Sequence, residues 1–175
     1  MTSLRPELLS GHTVMVAGDR GGQLTEALAA LGAAVVQDRS AAGSRALVYD
    51  ARPAFAAGGD DGLRVALEDA WQAVGEVANA SLIPADQPAK IVLIAPRPGA
   101  GAFAQAARAG LENLARTLSV EWARYGITTV MVAPGAATTD EELAELVCFL
   151  VSPGGEYLTG CRLELGAVQN PCGSP

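Results

Sequence analysis

The chain has 175 residues, half of them hydrophobic, with a mean hydropathy of +0.24 and few aromatics. That is the length of one domain, with enough apolar material for a real core. A formal charge of −7 repels a phosphate backbone, and no Lys/Arg run offers a seat for an anionic membrane, so neither nucleic acid nor membrane is an expected partner.

In chain order, residues 13–17 are a short apolar run that predicts a first strand. A glycine turn containing Gly18 and Gly22 leads into a helix-period segment over residues 23–31, closed by Gly32. Residues 33–36 predict a second strand, ended by Gln37, Asp38 and Arg39, and residues 40–44 a small polar linker. Residues 46–49 predict a third strand, 53–61 a loop rich in Gly and Ala, and 63–80 a helix with Leu63, Leu67, Trp71 and Val74 near one face. Residues 91–94 predict a fourth strand.

A long helix is expected over residues 104–125, where Leu111, Leu114, Leu118 and Trp122 recur at three- and four-residue spacing before Gly126. Residues 128–132 predict a fifth strand. Thr139 or Asp140 can cap a helix through Leu150, with Glu141 and Glu142 favourable in its first turn. A last strand is expected over residues 158–165, then a loose tail over 169–175. Strands alternating with helices call for a parallel sheet covered on both faces.

No apolar run reaches membrane-spanning length and residues 1–6 lack a signal-peptide core. Cys148, Cys161 and Cys172 have no metal-ligand spacing, so a reduced, cytoplasmic chain without metal is expected. His12 has no nucleophile placed to pair with it and reads as a loop residue, Cys148 as buried packing and Tyr125 as a surface residue.

Several segments in the right order carry a family resemblance. The stretch from Ala104 through Arg108 to Ala109-Gly110-Leu111 resembles the Tyr-x-x-x-Lys-Ala-Gly-Leu segment of the short-chain dehydrogenase/reductase family. Residues 111–123, the strand and turn ending in Pro134-Gly135, and residues 151–160 resemble the segments that follow in that family. The resemblance covers nearly the whole chain. It implies an α/β fold with a Rossmann-like, doubly wound parallel sheet, shortened to about six strands, in a single domain over residues 1–168.

The same resemblance implies where cofactor and catalytic groups should stand. The family's glycine loop has three glycines, and Gly18 and Gly22 supply two; Leu24 stands at the third. Asp38, twenty residues after Gly18, is at the distance of an acid on an adenosine ribose, which favours NAD over NADP. The family's Asn-Asn-Ala-Gly is here Tyr49-Asp50-Ala51-Arg52, with a large cation in the glycine's place. The serine position falls on Ala95-Pro96, the tyrosine on Ala104 and the lysine on Arg108; the asparagine position falls near Asp69. Pro96 and Ala104 have no proton to give, and arginine holds its proton too tightly to relay one.

These positions predict a catalytically degenerate chain with no catalytic residue of its own. Gly18, Gly22 and Asp38 remain as a vestige of a nucleotide site, and no cofactor is expected to bind here. The expected function is a non-catalytic subunit pairing with an active short-chain dehydrogenase/reductase paralogue that carries NAD(P), in a heterodimer or heterotetramer. Pairing is expected through Leu111, Leu114, Leu118 and Trp122 of the long helix, one edge of which faces the sheet, and through Leu163 of the last strand. An active NAD-dependent oxidoreductase with a displaced acid, and a small nucleotide- or metabolite-binding protein, are the alternatives.

Overall fold

The computed structural model describes residues 4–19 and 22–166. Among them six strands form one sheet in the order β2-β1-β3-β4-β5-β6, every pair parallel. The strands are β1 (Thr13–Ala17), β2 (Ala34–Val36), β3 (Ala46–Asp50), β4 (Ala89–Ile94), β5 (Ile127–Pro134) and β6 (Arg162–Leu165). The helices are α1 (Gln23–Ala30), α2 (Ala51–Ala57), α3 (Gly62–Val77), α4 (Ala104–Glu121) and α5 (Asp140–Val151). The chain thus has the predicted Rossmann-like α/β architecture. The tail at 169–175 and Cys172 lie outside the described residues.

Side chains alternate across each strand, and the alternation builds two cores. Met15, Leu47, Tyr49, Ile91, Leu93 and Met131 face one way, under α2, α3 and α4. Val14, Val16, Val48, Val92, Ile94 and Val130 face the other, under α1 and α5. β3 and β4 are buried along their whole length, which is why they read as unbroken apolar runs rather than as half-polar alternation.

Three expected elements differ. The loop predicted over residues 53–61 is largely helical: α2 spans Ala51–Ala57 and a 3-10 turn follows over Gly59–Asp61. The Asp50 side chain accepts from the Arg52 backbone N–H and caps α2, Pro53 sits in the first turn where its missing N–H costs nothing, and Phe55 anchors the helix in the core. The last strand begins at Arg162 rather than 158, because Gly160 takes a left-handed conformation just before it (φ 65°). The α-helical part of the long helix ends at Glu121, followed by a 3-10 turn over Ala123–Tyr125. At α5 the expected cap is present: Thr139 and Glu142 form a reciprocal capping box.

No described helix is long and apolar enough to cross a membrane.

Candidate functional site

In an open parallel sheet, ligands bind outside the C-terminal strand ends where neighbouring connections diverge. That point lies here between β1 and β3, since β2 flanks β1 on the far side. A crevice of about 340 Å³ opens there. It is lined by Asp19 after β1, Gln23 and Leu24 of α1, Asp50 and Arg52 at the end of β3, Pro96 and Arg97 after β4, and Asp140 at the start of α5, with Pro53, Phe55, Ala56 and Ala100.

Four of these side chains form a continuous ionic chain. Arg52 donates through Nε to both Asp50 oxygens (2.9 and 3.1 Å) and through one terminal nitrogen to Asp50 Oδ2 (2.8 Å). Its other terminal nitrogen reaches Asp140 Oδ1 at 2.5 Å. Arg97 donates to the same Asp140 oxygen (2.8 Å), to Gly135 O (3.1 Å) and to Thr138 O. Two guanidinium groups are thereby matched by two carboxylates, and the ends of β3, β4 and β5 are tied to the N-terminus of α5.

The titration behaviour follows from this geometry. Burial pushes the Asp50 carboxyl up, against the pull of Arg52. Burial also opposes the charge on Arg52, but hydrogen bonds and charge from Asp50 and Asp140 outweigh it and hold the guanidinium above its ordinary value. The hydrogen bond from Arg52 chiefly, with help from Arg97, holds Asp140 below the usual carboxylate range.

Asp19 is a fifth charge in the crevice, and it engages Thr25 in the first turn of α1. Its Oδ2 accepts from the backbone N–H and the hydroxyl of Thr25, both at 2.9 Å, in the first turn of α1. A helix N-terminus favours an anion, and here a carboxylate of the chain itself is that anion. Asp19 thus places a negative charge beside the helix end that a dinucleotide's pyrophosphate would approach, and the two nearby arginines are already matched by carboxylates.

The sequence-predicted positions are placed as follows. Gly18 is left-handed (φ 85°), and a Cβ there would lie 2.2 Å from Asp50 O, so the close packing of the β1 turn on β3 accounts for this glycine. Gly22 is the left-handed residue that opens α1. Asp38 is exposed and accepts from the Ser40 N–H (3.0 Å) and hydroxyl (2.7 Å), bonds that hold its carboxyl below the usual range; it does not line the crevice. Asp69 does not reach the crevice either. It binds Arg39 (3.0 Å) and accepts from the Tyr49 hydroxyl (2.8 Å), linking α3 to the segment after β2. Burial, with Asp69 adding to it, pushes the Tyr49 phenol far above its ordinary value, so this hydroxyl is no neutral-pH proton donor.

Pro96 and Ala104 are buried. Arg108 is only 4% exposed, and one of its terminal nitrogens donates to Pro96 O (2.8 Å) and Pro134 O (2.9 Å). It ties the loop after β4 to the end of β5. Desolvation lowers its pKa, though an arginine stays charged. Among the described residues lining the crevice there is no serine, threonine, tyrosine, histidine, cysteine or lysine. Nor is any group of three or more His, Cys, Asp or Glu placed to hold a metal among the described residues.

Of the expected interface residues, Leu111 and Leu118 require correction. Both are fully buried beneath α4 against the sheet and cannot meet a partner. Leu114 and Trp122 are half-buried at the edge of that core, and Leu163 is half-buried against the opposite one. The large apolar groups that do reach solvent on α3 and α4 are Trp71 (60% exposed) and Val120 (78%). The crevice network itself was not foreseen. Its signal was faint: cations at Arg52 and Arg97 just past two strands, and an acid at the start of a helix.

No family model matches the chain. Among solved structures it is similar to the citronellol catabolism dehydrogenase AtuB of Pseudomonas aeruginosa PAO1, at 24% identity over 94% of this chain and 97% of that one, with a TM-score of 0.74. A doubly substituted short-chain dehydrogenase/reductase of Serratia marcescens is similar at 23% identity over 90% and 97%, TM-score 0.71. BdcA from E. coli is similar at 22% over 90% and 100%, TM-score 0.65. These likenesses establish the fold: the chain is built as short-chain dehydrogenases/reductases are.

Proposed function

We propose, taking that shared dehydrogenase fold as the premise, that this chain is a non-catalytic subunit. It pairs with an active short-chain dehydrogenase/reductase and supports that partner's NAD(P)-dependent oxidoreduction, while binding no NAD(P) itself. One observation carries the reading: the crevice that a dinucleotide would enter holds a self-neutralised Asp50–Arg52–Asp140–Arg97 chain and offers no hydroxyl, amine, imidazole or thiol among its described lining. A proton must come from a group within reach and near its working pKa. The protonatable groups of the crevice are the carboxyls of Asp19, Asp50 and Asp140, and each is already held, Asp50 and Asp140 by arginines and Asp19 by Thr25. Arg108, at the lysine position, binds two backbone carbonyls, a structural task.

What is left to be useful is surface. The exposed Trp71 and Val120, with the half-buried Leu114 and Trp122, supply apolar area on α3 and α4 for pairing. The partner provides the cofactor and the chemistry; this chain provides stability or a wall of the partner's pocket.

The test has two arms. Calorimetry of the purified chain with NADH and NADPH is expected to give no saturable heat, and the combined variant Pro96→Ser, Ala104→Tyr, Arg108→Lys is expected to show no turnover, because the ionic chain still fills the crevice. Co-expression with an intact short-chain dehydrogenase from the same source is expected to yield a stoichiometric hetero-oligomer by light scattering. Cofactor-dependent carbonyl reduction by the purified single chain would overturn the reading.

A further inference from the structure

At the opposite end of the sheet a cavity of about 250 Å³ lies beneath the starts of the central strands. His12, Arg45, Lys90 and Thr128 reach it from the starts of β1, β3, β4 and β5, and Ser152, Glu156 and Tyr157 from the connection between α5 and β6. Two cations, Arg45 and Lys90, beside a histidine and against one acid make a locally basic site in a chain whose formal charge, with histidine neutral, is −7.

The bases are not matched by counter-charges. Lys90 is 6% exposed, and its Nζ donates to Gly155 O (2.7 Å) and Leu158 O (2.5 Å). Both acceptors are neutral carbonyls, and an ammonium carries three donors, so a third N–H and a whole positive charge remain. No carboxylate lies within ion-pair distance of Lys90 among the described residues. The Arg45 guanidinium is half-buried and makes no hydrogen bond or ion pair there, although its backbone is held by Thr13 and Lys90. An unpaired buried ammonium is costly, and an anion beside it removes the cost.

We propose that this cavity binds a small phosphate, free or as a short phosphate monoester, through Arg45 and Lys90. Arginine's fork suits two phosphate oxygens, and lysine adds a point charge. The Tyr157 hydroxyl is a further donor at the same space, whereas those of Ser152 and Thr128 already donate to Phe149 O (2.7 Å) and Ala89 O (3.4 Å). The volume falls below the roughly 300 Å³ at which common ligand pockets begin, which admits a phosphate and excludes a dinucleotide. Pro88, Ala89, Leu150 and Val151 give the ester's carbon end an apolar wall. The site is independent of the crevice and of the subunit reading above.

Titration supports the assignment. Burial pushes the Lys90 ammonium down to about 8, with Cys161 and Glu156 pulling the other way. Glu156, the phenol of Tyr157 and the bases His12 and Arg45 are the other charged or titratable groups lining the cavity. A bound phosphate supplies the missing negative charge, so binding takes up a proton at Lys90 and weakens as the pH rises past that value.

The experiment is titration of the folded full chain with inorganic phosphate, glycerol 3-phosphate and succinate, at constant ionic strength and near-neutral pH, followed by calorimetry and phosphorus NMR. Saturable binding of both phosphates and weaker binding of succinate is expected. Arg45→Gln should weaken phosphate binding roughly tenfold, as loss of one charge-assisted contact does. Arg5→Gln, an exposed arginine away from the cavity, should leave it unchanged. Lys90→Met should abolish the alkaline loss of affinity; if that variant does not fold, Arg45→Gln decides alone. Absence of saturable phosphate binding, equal affinity in Arg45→Gln, or equal weakening in Arg5→Gln overturns the proposal. Stronger binding of succinate than of either phosphate overturns the ligand class.

Discussion

The two ends of this sheet treat charge in opposite ways. At the C-terminal end, where the fold offers a ligand crevice, Asp50, Arg52, Arg97 and Asp140 neutralise one another, and Asp19 satisfies the first turn of α1. At the N-terminal end the Lys90 ammonium has neutral partners only and the Arg45 guanidinium has none among the described residues. The difference teaches that a fold's usual binding place and a chain's available binding place need not coincide. Burial of charge is tolerated where partners converge from several strand ends, and it stays incomplete where they do not.

Three variants break or sharpen this contrast. The largest effect is expected from Arg108→Ala at the crevice end. Removing the guanidinium leaves Pro96 O and Pro134 O without their buried donor, a loss of about 3 kcal/mol in urea unfolding at ~1–3 kcal/mol per unsatisfied group. An unchanged unfolding midpoint would show that water replaces the arginine and that the carbonyls were never isolated.

Arg52→Ala comes next, at about 2 kcal/mol near neutral pH, the scale of a lost hydrogen bond to a charged group, because Asp50, with a side chain only 3% exposed, loses its partner. Asp50 is already raised by burial, and without Arg52 it rises further. A carboxyl raised in the folded state costs stability above its folded pKa, and the cost disappears as it takes up a proton. The deficit against the unaltered chain should therefore shrink as the pH falls. A deficit that grows towards acid would mean that Asp50 is not what Arg52 stabilises.

The last effect belongs to the other end and develops only above neutral pH. With Lys90 near pH 8 when folded and at the ordinary ~10.4 when unfolded, the unfolded chain binds more protons between those values, so stability rises with pH across that window. Cys148, pushed up to about 11 by burial, acts oppositely over an overlapping range, so the quantity to measure is the difference between the unaltered chain and Lys90→Met. A difference with no pH dependence there would place the Lys90 amine in a solvated environment.

Much of the scaffold was legible in the residue pattern. Apolar runs located all six strands, Gly126 marked the end of the 3-10 turn that follows the long helix, and Thr139 with Glu142 announced the start of α5. That Ala104 and Pro96 have no proton to give is legible in the sequence, since it is a property of the side chains alone. The partner of Asp38 was not legible: its spacing suits a ribose contact, and only the fold shows that it accepts from Ser40, because spacing says nothing about which neighbours surround a carboxylate.

What the linear order determined by itself was therefore local: periodicity, caps, turns and the absence of particular functional groups. Tertiary structure alone decided the rest. It turned Leu111 and Leu118 inward to the sheet, made a capped helix of Ala51–Ala57, and joined Arg52 to Asp140 across 88 positions of chain. The reason is physical. Helix and strand signals act over a few residues, whereas an ion pair depends on which strand ends the sheet order sets side by side, and on how little water the packing leaves between them.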